Sequence, residues 1–199
     1  LSVSSAAPTY PTGSVFCASG PTAIVDVINP VSGETWMDRN LGATQAATSS
    51  TDAASYGDLY QWGRGADGHQ CRTSSTTETL SSTDQPGNGN FILITSQLVG
   101  TGDWRSPYNA NLWQGVNGVN NPCPSGYRIP TGGELNVESL TWDQSPLSSG
   151  SGAFGAIGSP LKLPVAGWRD RSTGQTSGVS VNGRYWGSTT SSGNTAEYL

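Results

Sequence analysis

The run NPCPSGYRIPT at positions 121–131 constrains the fold of this chain more than any other stretch. Pro122, Pro124 and Pro130 each fix φ and remove a backbone donor, so Cys123 is expected in a rigid, extended loop held against the body of the fold. Thr131 followed by Glu134 forms a capping box, in which hydroxyl and carboxylate each satisfy an unpaired backbone N–H at a helix start. The pattern predicts a short helix running from there to Leu140. It is a structural signature before it is a functional one.

A chain of 199 residues is long enough for one domain with a real core. Only 12% of its residues are charged, while 27 glycines and 12 prolines sit among many Ser, Thr and Asn, a composition of strands and loops rather than helices. Lys162 is the one lysine and the net charge is −5, so no basic surface exists to neutralise phosphates and neither nucleic acid nor an anionic membrane is an expected partner. No apolar run reaches the roughly 18 residues needed to cross a bilayer, so a soluble chain is expected; the best run, 91–94, reads as a buried strand. The chain begins at Leu1 without a charged and apolar leader, so any export signal is expected to have been removed or to lie beyond this sequence.

Residues 1–16 lack periodicity and read as an arm or linker, followed by a single domain over 17–199. Residues 23–28 and 35–37 flank a Pro-to-Gly turn and read as a hairpin. Residues 56–62 place Tyr56, Leu59 and Tyr60 at helical spacing, which predicts a short helix ended by Gly63 and Gly65. Residues 72–90 form a polar surface insertion, and 100–121 a second loop region bearing Trp104, Tyr108 and Trp113. After a small-residue loop at 148–158, residues 161–168, 179–181 and 184–187 read as successive antiparallel strands, with a further strand entered at 196–199.

The residues that carry chemistry favour structural roles. His69 is the one histidine and sits in a glycine turn beside Cys71, with no second metal-ligand pair at zinc spacing. Glu134 and Glu138 share a helix face, but the cap already uses Glu134. Asp84, Asn88 and Asn90 offer oxygens to calcium in a flexible loop, yet match no EF-hand, so a solvated turn is favoured and no cofactor is assigned. Asp38 and Arg39 are expected to pair with each other or with backbone groups. Three cysteines in Pro/Gly loops suit an oxidising, extracellular setting, with one pair and one orphan. The expected pair is Cys71 with Cys123, both in rigid loops, which leaves Cys17 unpaired.

Five segments in order, SGETWMDRNLGAT (32–44), YGDLYQWGRGADGHQC (56–71), NPCPSGYRIPT, LKLPVAGWRD (161–170) and GRYWGSTT (183–190), resemble the Fibrobacter succinogenes major paralogous domain family. The resemblance implies an α+β, C-type-lectin-like fold: a loop-rich antiparallel sheet with one or two short helices, in an exported, cell-surface protein. The family commonly ends in a further strand whose cysteine is the natural mate of Cys17. This sequence is expected to lack that strand. Calcium-dependent sugar-binding motifs are absent; Gln85-Pro86-Gly87 is a near miss.

Tryptophan is in surplus, with seven against three phenylalanines. Trp36, Trp62, Trp168 and Trp186 fall in the framework motifs and are expected in the core. Trp104, Trp113 and Trp142, with Tyr108, are the candidate ligand-binding residues, because aromatic platforms hold sugar rings or partner surfaces at low entropy cost. The expectation is a secreted, non-enzymatic binding or adhesion module that recognises glycan or protein. The alternative is a self-associating structural subunit of an extracellular appendage or filament. An enzyme on the related formylglycine-generating scaffold is a weaker reading, since Cys17, Cys71 and Cys123 do not make its reactive arrangement.

Overall fold

Proline and glycine break this chain so often that regular structure survives only in short pieces. The computed structural model describes residues 7–95, 103–142, 153–191 and 195–199. Among them lie eight strands in four two-stranded sheets, two short helices and one 3₁₀ turn, an α+β architecture. No helix of the described residues is long and apolar enough to cross a membrane.

The hairpin forms where the alternation places it. Strands β1 (Asp26–Ile28) and β2 (Thr35–Met37) pair antiparallel with Val27 opposite Trp36. Asn29 closes the turn by accepting from Gly33 N–H at 2.8 Å and donating from its own N–H to Glu34 O at 2.9 Å. Its buried side chain then donates to Glu138 Oε2 at 2.7 Å and Thr141 Oγ1 at 2.8 Å, which ties the hairpin to helix α1 (Gly132–Leu140).

Helix α1 starts as the sequence requires. Thr131 Oγ1 accepts from Glu134 N–H at 3.2 Å, and Glu134 Oε2 accepts from Thr131 N–H at 2.8 Å. Arg128 adds a two-pronged ion pair to the same carboxylate, which holds Glu134 down at about 2. The preceding loop is held against the body of the fold as expected: Pro122 and Pro124 are fully buried. The helix start is anchored on strand β7 (Trp186–Ser191), where Thr189 Oγ1 accepts from Gly132 N–H at 3.0 Å.

Three expected elements differ. Residues 56–62 do not form a helix. A 3₁₀ turn at Ala53–Ser55, capped by Asp52, ends at once because Gly57 adopts φ +67°, where a Cβ would sit 2.4 Å from Leu41 O. Residues 179–181 form a turn rather than a strand, with Ser180 at φ 63°. Within 161–168 only the end is a strand, β5 (Trp168–Arg169), paired with β6 (Thr176–Ser177). The rest is irregular, with Lys162 at φ 48° and Pro164 unable to donate, yet Leu161 and Leu163 pack with Trp142 and Ala156, the latter from helix α2 (Ala153–Gly158).

The run at 91–94 is indeed buried. It contributes β4 (Phe91–Ile92), which pairs parallel, not antiparallel, with β3 (Thr76–Thr77) of the polar insertion. Strand β8 (Thr195–Tyr198) pairs antiparallel with β7, and Leu199 packs onto the Trp142 cluster. The loop expected at 148–158 falls outside the described residues up to 152, and α2 occupies the remainder.

The cysteine pairing is a correction. Cys17 bonds Cys71, and Cys123 is free and buried. Cys123 lies within the proline loop, between the buried Pro122 and Pro124, and burial pushes its thiol up to about 12. Rigid surroundings for Cys71 and Cys123 do not bring them together; the arm brings Cys17 instead.

Candidate functional site

The tryptophan platform is also a correction. Trp104 and Trp113 are each 1% exposed and Trp142 is 7% exposed, so none offers a face to a ligand. Each indole N–H is turned inward. Trp104 donates to Trp62 O at 2.7 Å, Trp113 to Arg64 O and Asn120 O at 3.1 Å each, and Trp142 to Glu138 Oε1 at 3.4 Å. Tyr108 is half-buried, its ring stacked on Trp62 at 6.1 Å.

Oxygens of two of the calcium candidates, Asp84 and Asn88, are engaged by neighbouring groups of the protein. Asp84 Oδ1 lies 2.7 Å from Arg105 Nε and accepts from Asn109 Nδ2 at 3.0 Å, while Asn88 Oδ1 accepts from Asn90 N–H at 3.0 Å. The backbone carbonyls of Asn88 and Asn90 accept from Arg64, which is wholly buried and also binds Asp67 and Gln61. No group of three or more His, Cys, Asp or Glu side chains that could hold a metal ion occurs among the described residues.

His69 is fully buried with both ring nitrogens in use. Nε2 accepts from Gln61 N–H at 2.9 Å and Nδ1 lies 2.6 Å from Asp67 Oδ1. Burial pushes its pKa down to about 4, so it is neutral and shut away from any substrate. Glu134 and Glu138 are equally committed, the first to its cap and Arg128, the second to Asn29 and Trp142.

A groove open to solvent lies along the arm. Thr9 and Ser125 are doubly bonded, with Ser125 N–H to Thr9 O at 2.8 Å and Thr9 N–H to Ser125 Oγ at 3.0 Å. Val15 N–H donates to Ala66 O at 2.7 Å, Gln70 Nε2 donates to Val15 O at 2.8 Å, and the disulfide follows at Cys17. Between these two clamps the arm borders an open groove of about 770 Å³. Tyr10 and Phe16, edge to face at 5.3 Å, supply one wall, and Tyr127 and Asp26 stand in its lining. Tyr127 OH donates to Asp26 Oδ1, which fixes the ring, and Tyr10 OH donates to Thr22 O at 3.0 Å. Sequence reasoning missed this site. Its one legible signal was Tyr127 inside NPCPSGYRIPT, since the other walls come from a segment with no periodicity.

No family model, no curated protein and no solved structure matches the chain.

Proposed function

We propose that this chain is an exported, non-enzymatic binding module of C-type-lectin-like architecture, and that it holds a glycan in the groove beneath its arm. The observation that carries the reading is the groove: aromatic faces, a carboxylate and hydroxyls held in place by a disulfide at one end and a paired backbone at the other. Its volume lies in the range of small-ligand clefts. Rigid rings beside oxygen acceptors suit a sugar, whose CH faces stack while its hydroxyls donate. Asp26 Oδ1 accepts the hydrogen bond from Tyr127 OH, and its second oxygen, which no described residue bonds, faces those hydroxyls in an exposed side chain. The architecture is supported by the capped helix that follows the proline loop and docks on the strand carrying YWGS. The disulfide accords with an extracellular setting.

A glycan array followed by titration of the best ligand tests this. Tyr127→Ala is expected to abolish binding while leaving the melting temperature within a few degrees. Absence of any glycan ligand, or unchanged binding by Tyr127→Ala, overturns the reading.

The appendage-subunit reading draws on a different observation. Ile28, Val31, Val137 and Leu140 are all exposed on the joined hairpin and helix, apolar side chains open to a second copy of the chain. Light scattering of the purified protein decides it, since a monomer at every concentration removes this alternative.

A further inference from the structure

Eight arginines and one lysine carry the positive charge. Six arginines are committed to acceptors within the protein: Arg39 to Asp38, Arg64 to Asp67, Arg72 to the Gly57 and Ala166 carbonyls, Arg105 to Asp84, Arg128 to Glu134, and Arg169 to Ser74 and Gly174. Of the rest, Lys162 and Arg171 are exposed with neither ring nor acceptor among the described residues. Arg184 is different. Its guanidinium carbon lies 4.0 Å from the Trp168 ring centroid and 5.4 Å from that of Tyr198, and its donors reach no acceptor among the described residues.

Three elements build this arrangement. Trp168 stands on β5, its ring wedged by Gly178 at φ +66°, where any Cβ would lie 2.0 Å from Trp168 Cζ3. Tyr198 sits on β8 opposite Trp186 and meets that ring edge-on at 5.9 Å. Arg184 enters just before β7, after Gly183 has bridged to Gly167. Stacking uses the face of a guanidinium and leaves its N–H donors free in the plane. The side chain is thus held by rings, exposed to solvent, and unpaired among the described residues.

We propose that Trp168, Arg184 and Tyr198 form a second carbohydrate site, selective for the carboxylate of an acidic sugar of the uronate or sialate class. The planar fork matches a carboxylate with two parallel hydrogen bonds. Tyr198, 54% exposed, stands beside it as a surface for the attached pyranose ring. The site shares no residue with the arm groove and does not rest on it.

The test follows the Arg184 Nε–H and Trp168 indole N–H signals of the full chain by NMR during titration with methyl glucuronide and, separately, a methyl sialoside. Saturable shifts are expected with at least one of them, and that arm identifies the source. Methyl glucoside and the methyl ester of the glucuronide should bind at least about tenfold more weakly. Arg184→Gln should remove binding, and Arg184→Lys, which keeps the charge without the fork, should weaken it about tenfold. Tyr127→Ala should leave it unchanged, so failure of the groove and failure of this site are separable. Equal binding of acid and glucoside, equal binding of acetate alone, wild-type affinity in Arg184→Gln, or no saturable binding overturns the proposal.

Discussion

The His69 imidazole and the Asp58 carboxyl set opposite pH dependences within one fold. His69 has its pKa lowered to about 4 by burial, which outweighs the raising effect of Asp67, whereas an unfolded histidine titrates near 6.5. Its contribution to stability is therefore full above pH 6.5 and lost as pH falls towards 4, on the order of 3 kcal/mol for such a gap. Asp58 is raised to about 7 by burial, only partly opposed by Arg72, so what it contributes is present below its unfolded pKa and lost as pH rises through 7. Asp58→Asn should accordingly stabilise the protein at pH 8 by about 2 kcal/mol, after allowing for partial exposure, and leave it nearly unchanged at pH 4. Urea melts at the two pH values check this, and an equal gain at both would contradict it. The disulfide belongs to this scale too. It spans 54 residues, for which the chain-entropy relation gives about 4 kcal/mol. Cys17→Ser should lower stability by that order, and peptide mapping without reduction should recover Cys17 joined to Cys71, with Cys123 alkylated only after unfolding.

At the scale of elements, the helix at Gly132–Leu140 depends on its start, because Gly132 and Gly133 bring backbone entropy that opposes helix formation. Thr131→Ala should cost about 1 kcal/mol and speed amide exchange at Glu134, whose N–H loses its acceptor; an unaltered exchange rate there would show that the cap is not needed. This helix and the hairpin were legible in the sequence because their signals are local: a hydroxyl and a carboxylate three residues apart, and two strands around a glycine turn. The missing helix at 56–62 shows where locality ends. Its aromatic spacing was helical, but Gly57 is required by the close approach of Leu41 O, a contact written in another segment. The arm groove escaped the sequence for the same reason. Thr9 meets Ser125 and Val15 meets Ala66 across intervals that no periodicity encodes. Cys17 found Cys71 only because the arm folds back.

For the molecule as a whole, the surplus of tryptophan follows from the scarcity of regular structure. Ladders satisfy few backbone carbonyls here, so side-chain donors do it instead. Trp62 donates to Gly187 O, Trp186 to Tyr60 O, Trp104 to Trp62 O, and Trp113 to Arg64 O and Asn120 O. Asn120 continues the pattern with bonds to Gly63 O and Asp84 O, and Gln61 with one to Ile92 O. Each indole thus serves as a large apolar filler and as a clamp on an irregular loop. Trp36 departs from this scheme: its indole N–H is buried without a partner among the described residues, and nothing in the structure explains it. Trp113→Phe keeps most of the volume but removes a buried donor shared by two carbonyls, so a loss of about 1–3 kcal/mol is expected in urea unfolding. The most direct test of this account is hydrogen exchange at the indole N–H groups of protein labelled with ¹⁵N at tryptophan. Trp62, Trp104, Trp113 and Trp186 should exchange only through global unfolding, at rates that track denaturant stability; rapid exchange of Trp104 and Trp113 under native conditions would place them at the surface and contradict it.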